Sequence, residues 1–262
     1  LTSMYFIVLT IFPEMLAPFW AHGIIRRAID HQISFTSTRK IRDYARDRHQ
    51  VTEDRPYGGG SGMVMKPEPL AGAIRMATRE IPAAGTVLLT PQGRPFDQNM
   101  ARELAALDGL VLICGRYEGV DERICHDLID YEISIGDYVL TGGELAAMII
   151  VDAVTRLIPG ALGGQDAAQN DSFSNGLLEH AHYTRPRNYE GREVPEVLLS
   201  GHHQEIERWR LESSLMRTLL KRSDLLRQKN LDRKEIKILE KWQQEINEVL
   251  ELHHKKEGKA LM

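Results

Sequence analysis

Residues 110–143 read LVLICGRYEGVDERICHDLIDYEISIGDYVLTGG, and the fold follows from how this stretch alternates. Residues 110–114 are a short apolar run, long enough for a buried strand and too short for a helix. Gly115-Arg-Tyr-Glu-Gly119 interrupts it. Residues 120–129 then set Val120, Ile124, Leu128 and Ile129 on one helical face. Residues 132–135 predict a second strand, and Gly136-Asp-Tyr-Val-Leu140 a loop. Thr141 is expected to begin the next helix, because Thr141-x-x-Glu144 spells a capping box, in which hydroxyl and carboxylate each satisfy a backbone donor.

The glycines of this stretch fall where strands should end. In open α/β sheets a ligand lies outside the carboxyl ends of the strands, and backbone must come close to it there. Gly115, Gly119, Gly136, Gly142 and Gly143 permit such an approach. Each of them could equally serve a tight turn.

The flanking sequence repeats the rhythm. Residues 5–12 are apolar enough for a central strand, and Pro13 suits the first turn of a helix carried by Met15, Leu16, Phe19 and Trp20. Residues 24–29 are amphipathic, and residues 33–35 predict another strand. Residues 67–80 read as a helix. Residues 86–90, TVLLT, are a strand ending in Pro91-Gln92-Gly93, and residues 97–107 a helix. Residues 144–158 continue as a helix that Pro159-Gly160 stops. Strands alternating with helices at this spacing predict an α/β fold with a parallel sheet covered by helices on both faces.

Composition sets the outer limits. At 262 residues, 42% hydrophobic and 27% charged, the chain can bury a sizeable core in one large or two modest domains. A formal charge of −4 does not announce nucleic acid, so any basic footprint has to be local. Cys114 and Cys125 lie within apolar patterns and read as free thiols of a reducing cytosol. There is no apolar run of membrane-spanning length and no signal-peptide pattern, so a cytoplasmic protein is expected. Leu1-Thr-Ser3 precedes Met4 and is left out of the fold reading.

Residues 39–55, RKIRDYARDRHQVTEDR, form either a solvated face or a phosphate-contacting surface. Tyr57-Gly-Gly-Gly-Ser-Gly62 is neither a dinucleotide fingerprint, whose third glycine would fall on Met63, nor a P-loop. Residues 161–176, ALGGQDAAQNDSFSNG, have the composition of a linker. From Glu179 onward 17 Lys and Arg face 15 Asp and Glu, a net +2 that leaves −6 for the preceding residues. This asymmetry favours the C-terminal part as an RNA-facing surface. His180-x-His182 and His202-His203 have only a superficial likeness to metal motifs, with no cysteine near and no i, i+4 spacing, and no structural zinc is expected. Residues 201–221 predict a helix with Ile206, Trp209, Leu215 and Leu219 inward. Asp232-x-x-Glu235 repeats the capping-box spelling ahead of a last helix, and residues 255–262 are expected to fray.

ICGRYEGVDER (113–123), ISIGDYVLTGGE (133–144), YGGGSGM (57–63), DSF (171–173), GLLE (176–179) and HYTRP (182–186) together resemble the bacterial tRNA (guanine-N1)-methyltransferases, members of the knotted SPOUT class. The likeness runs through nearly the whole chain. It implies a SPOUT cofactor-binding catalytic domain over residues 1–160 with a C-terminal trefoil knot, a flexible lid over 161–176, and a small helical tRNA-binding domain over 177–262. It implies a homodimer without membrane attachment, acting on the anticodon stem-loop of tRNA. S-adenosylmethionine is the methyl donor, and the target is N1 of the guanosine at position 37, after a preceding guanosine. By residue match, Leu89, Thr90 and Pro91 contact the cofactor from the first loop. Gly115, Tyr117, Glu118 and Gly119 do so from the second, and Ile135, Gly136, Asp137, Tyr138, Val139, Leu140, Gly142 and Gly143 from the third. Asp171 falls on the family's general base and Arg156 on its catalytic arginine. Without the resemblance, Asp171 reads as a helix cap or turn residue, and Arg156 as a cation favoured at a helix C-terminus. Glu118 is expected either at the sulfonium or amine of the cofactor or at a Mg ion, on which the family's activity depends. Thr90 stands where the family commonly has serine, and a hydroxyl is retained.

Two other readings stand beside this one. A related SPOUT enzyme acting on ribose or another base should lack the combination of Asp171 with HYTRP. An RNA-binding module without catalysis would need neither Arg156 nor Asp171.

Overall fold

A computed structural model describes residues 3–164, 168 and 170–260, with residues 254–260 described by backbone alone. Within the stretch expected to act as a lid, residues 165–167 and 169 lie outside the described residues. The chain divides into two compact units, residues 1–168 and 169–262.

The first unit begins with β1 (Met4–Thr10), the short helices α1 (Ala17–Trp20) and α2 (Gly23–Asp30), and β2 (Ser34–Lys40). A two-stranded ribbon of β3 (Glu53–Asp54) and β4 (Val64–Met65) precedes α3 (Pro67–Glu80). Then come β5 (Ala84–Pro95), α4 (Gln98–Ala105), β6 (Gly109–Cys114), α5 (Glu122–Leu128), β7 (Tyr131–Ser134) and α6 (Glu144–Thr155). Five strands make one parallel sheet in the order β2-β1-β6-β5-β7. Parallel strands need crossovers, and the helices supply them.

The central strands are apolar on both sides, as a doubly covered parallel sheet requires. Phe6, Val8, Leu110 and Leu112 face one layer, packed with Ile25 of α2, Met100 and Leu104 of α4, and Ala147, Ile150 and Val154 of α6. The alternate residues Ile7, Leu9, Val111 and Ile113 face the other layer, with Leu70 and Ile74 of α3 and Ile124 of α5. All six residues of β6 are buried, which places it at the heart of the unit.

Three expectations are corrected. β2 extends to Lys40, well beyond Phe35, because its polar residues pair in register with β1 at the sheet edge, where only one neighbour is needed. β5 does not end at Thr90. Leu89 and Arg94 both pair with Ile133, so residues 90–93 bulge out and the strand resumes. The close approach at Gly93 permits it: a Cβ there would lie 2.3 Å from the backbone nitrogen of Ile133. α6 begins at Glu144, not Thr141, with Gly143 as its N-cap and no side-chain cap hydrogen bond.

The second unit holds a hairpin of β8 (Asn188–Tyr189) and β9 (Arg192–Glu193), then α7 (His203–Lys221), α8 (Ser223–Gln228) and α9 (Arg233–Ala260). Leu177 and Leu215 are buried in it. Thr218 on α7 accepts a hydrogen bond from the Leu178 amide at 2.9 Å, which ties the segment after Asp171 to the helix. α9 continues through part of the tail expected to fray, while residues 261–262 lie outside the described residues. Among the described residues no helix is long and apolar enough to cross a membrane.

Candidate active site

The bulge within β5 and the carboxyl ends of β6 and β7 open into a crevice of about 390 Å³, within the size range of small-molecule sites. The bulge after Leu89, the turn after Cys114 and the loop after Ser134 line it. Every cofactor contact named from the sequence lies in this lining except Asp137.

The second and third loops touch through backbone. The Gly143 amide donates to the Gly115 carbonyl at 3.0 Å. A Cβ at Gly143 would stand 2.7 Å from the Cα of Cys114, so only glycine lets the head of α6 come this close to the end of β6. Tyr117 has a φ of 60°. Left-handed backbone in a non-glycine residue is sparsely populated, and such conformations gather where a site holds its backbone for use.

The YGGGSGM segment borders the same turn. The Glu118 amide donates to the Met63 carbonyl at 3.0 Å, and the Met65 amide to the Gly119 carbonyl at 3.0 Å. A Cβ on Gly62 would fall 2.3 Å from a carboxylate oxygen of Glu118. Tyr117 donates from its hydroxyl to Glu53 at 3.3 Å. The upstream basic run contributes ion pairs here and nearby: Arg42 with Glu53 at 3.4 Å and Arg39 with Glu80 at 2.7 Å.

Behind the glycine turns lies a feature that the sequence reading assigned wrongly. Glu144 is 1% exposed, and its carboxylate does not cap α6. It accepts from the Thr10 hydroxyl at 2.6 Å and from Arg116 at 3.3 and 3.2 Å. Arg116 also lies over the Phe12 ring, 4.4 Å from its centroid, a favourable cation–π placement. One buried carboxylate therefore ties the end of β1 to the second loop and the start of α6. A buried carboxylate needs such partners, since an uncompensated one would not remain charged. Within its motif nothing local marks Arg116 as the partner of Glu144, which lies 28 positions further on.

Cys114, also behind the turns, is fully buried. Burial pushes its thiol pKa well up, and the charge of Glu144 adds to that while Arg116 opposes it. It packs as a small apolar side chain and is no nucleophile. Cys125 is likewise raised, chiefly by burial.

The two residues expected to do chemistry fall in different units. Arg156 is the C-cap of α6 in the first, its amide donating to the Asp152 carbonyl at 3.2 Å. Asp171 opens a turn in the second, its carbonyl accepting from the Ser174 amide at 3.1 Å.

A backbone-lined crevice beyond the carboxyl ends of parallel strands marks the ligand side of an α/β enzyme. The chain belongs to the family described as tRNA (guanine-1)-methyltransferase TrmD, whose model matches residues 4–228. It is similar to the tRNA (guanine-N(1)-)-methyltransferase of Desulfatibacillum aliphaticivorans, 53% identical over 247 residues, 94% of each chain. The protein of the same description from Desulforudis audaxviator is 54% identical over 220 residues, 84% of this chain and 88% of its own. That from Syntrophotalea carbinolica is 51% identical over 242 residues, 92% and 98% of the respective chains.

Proposed function

We propose that this tRNA (guanine-N1)-methyltransferase takes its methyl group from S-adenosylmethionine, held in the crevice, and places it on N1 of the guanosine at position 37, in a GpG context. The observation that carries the reading is the crevice itself: the bulge of β5 and two glycine-bearing strand-end loops, the latter two joined through backbone, around a volume suited to a nucleoside-sized ligand. Its apolar lining, including Leu89, Ile135, Val139 and Leu140, fits an adenine ring, and the exposed peptide groups of the turns fit the ring's polar edge. Glu118, on the second loop, is an acidic group available to the amine or to a Mg ion, alongside Glu122 and Glu132 in the same lining. On this reading the three loops belong to a trefoil knot of the SPOUT kind.

When bound, the cofactor supplies an electrophilic methyl group on a sulfonium. Guanine N1 carries a weakly acidic proton that must leave as its bond to the methyl group forms. Asp171 takes that proton as general base. Arg156 donates to the exocyclic oxygen of guanine, where negative charge grows. Holding base, nucleobase and methyl group in line supplies much of the remaining acceleration. The target base has to leave its stack to reach the crevice, and an anticodon loop makes that inexpensive. A symmetric homodimer in which one subunit's Asp171 completes the other's crevice repeats the contact twice. Residues 161–176 then act as the lid, and residues 177–262 as the tRNA-binding domain of a cytoplasmic enzyme.

The test is Asp171→Ala. Single-turnover methyl transfer should fall by at least about 100-fold, while calorimetry with S-adenosylmethionine gives an unchanged dissociation constant. Transfer at the parent rate would remove Asp171 from the role of base. Absence of cofactor binding by the parent protein would remove the crevice assignment.

A further inference from the structure

Glu179, His180 and His182 lie in the second unit, on a stretch without regular secondary structure. Their ligand-capable atoms all lie within 4.8 Å of one another. The imidazole centroids of His180 and His182 are 4.5 Å apart, and Nε2 of His182 is 2.9 Å from a carboxylate oxygen of Glu179. The two rings lie side by side although the residues are two apart, so His-x-His converges here without the helical i, i+4 spacing.

The backbone that carries these groups is fastened by three hydroxyls. Ser172 accepts from the Glu179 amide at 3.0 Å, Ser213 from the Ala181 amide at 3.0 Å, and Thr218 from the Leu178 amide at 2.9 Å. Trp209 of α7 stands edge-on to His180, centroids 6.4 Å apart at 82°, and closes off one side of the ring.

We propose that Glu179, His180 and His182 form a binding site for a divalent transition-metal ion, with Zn²⁺ the best match. Two imidazoles and one carboxylate suit zinc, and three protein ligands leave a fourth position for water. Mg²⁺ prefers an all-oxygen octahedral shell and is poorly served here. Zinc-bound donors stand roughly 3.3 Å apart, from bond lengths of about 2.0–2.2 Å. The three groups already lie within 4.8 Å of one another, and a metal between them takes the place of the direct His182–Glu179 contact. Glu179 is bonded through its amide to Ser172, the neighbour of Asp171. A bound ion therefore clamps the turn that carries Asp171 and takes no part in the chemistry. The clamp rests on the reading of Asp171 as base; the site itself does not.

The experiment uses the full chain, stripped of metal by chelator dialysis and titrated with Co²⁺ and then Zn²⁺. The expected result is a visible d–d band that saturates at one equivalent of Co²⁺, is displaced by Zn²⁺ and is unaffected by Mg²⁺. The His180→Ala/His182→Ala variant should weaken Zn²⁺ binding by at least about tenfold. Glu179→Gln, which preserves shape and hydrogen bonding, should weaken it as well and guards against misfolding of the double variant. A His253→Ala/His254→Ala variant should bind like the parent. No band with the parent, or undiminished Zn²⁺ binding by both cluster variants, would overturn the site. These readouts do not involve methyl transfer, so a catalytically dead Asp171→Ala protein that still binds one Zn²⁺ separates this proposal from the function proposed above.

Discussion

Thr141-x-x-Glu144 and Asp232-x-x-Glu235 have the same spelling, and the molecule uses them differently. At the second, the Asp232 carboxylate accepts from the Glu235 amide at 2.9 Å, and Glu235 accepts from the Asp232 amide at 2.8 Å, the reciprocal pattern of a capping box. At the first, the helix starts three residues later, Thr141 caps nothing, and Glu144 turns inward to Thr10 and Arg116. The difference lies in what surrounds each glutamate. Around Glu235 the local backbone donors are the best partners within reach, with Lys229 3.4 Å away as added support. Around Glu144 an arginine and a threonine from distant parts of the chain compete with the cap and win, since charge-assisted bonds in a buried site are stronger than a neutral cap bond.

Three substitutions test this contrast. Glu144→Ala should have the largest effect. It strands Arg116 beside a vacated buried position and should cost about 3 kcal/mol in urea unfolding, the low end for a broken buried pair because the Arg116 side chain is 17% exposed. The turns it braces should also loosen, with a weaker dissociation constant for S-adenosylmethionine by calorimetry. A loss no larger than that of a surface substitution would mean that the tie does not hold the crevice.

Asp232→Ala should come next, lowering the melting temperature by about 2–4 °C through loss of a cap and leaving cofactor binding unchanged. The same carboxyl gives a pH signature. The backbone hydrogen bonds from Glu235 and Lys234 hold its pKa below the ordinary 3.8. Its stabilisation is therefore complete above the unfolded value and disappears as pH falls through the lower folded value. Comparing acid unfolding of the parent and Asp232→Ala should show the gap between them closing below pH 3.8.

Thr141→Ala should have the smallest effect, within about 0.5 kcal/mol, because the exposed hydroxyl caps no helix. A loss matching that of Asp232→Ala would restore the capping box and break the contrast.

The same distinction governs how much was legible in sequence. The apolar runs near residues 5–12, 86–90 and 110–114 mark β1, β5 and β6, because burial on both faces writes itself as local composition, and the shorter run at 132–135 marks β7, half-buried at the sheet edge. The glycines at 115, 119, 136, 142 and 143 marked the turns after β6 and β7: Gly143 because a close backbone approach leaves no alternative residue, Gly119 and Gly136 because their φ is positive. What pairs across long separations left no local trace. Thr10 and Glu144 are 134 positions apart, and nothing near either one signals the other. The resumption of β5 after Thr90 is invisible because Pro91-Gln92-Gly93 has the composition of a terminating loop. The Glu179–His180–His182 group was passed over because its convergence depends on irregular backbone held by Ser172, Ser213 and Thr218, which spacing rules for helices do not describe.

The proposed reaction turns on the target atom and on Asp171 as the base proposed to deprotonate it. Mass spectrometry of nucleosides from a tRNA transcript bearing guanosines at positions 36 and 37, incubated with the protein and S-adenosylmethionine, addresses both. The expected product is 1-methylguanosine at position 37 alone, absent when that guanosine is replaced and nearly absent with Asp171→Ala. A methyl group on ribose or on another base, or undiminished product from the Asp171 variant, would contradict it.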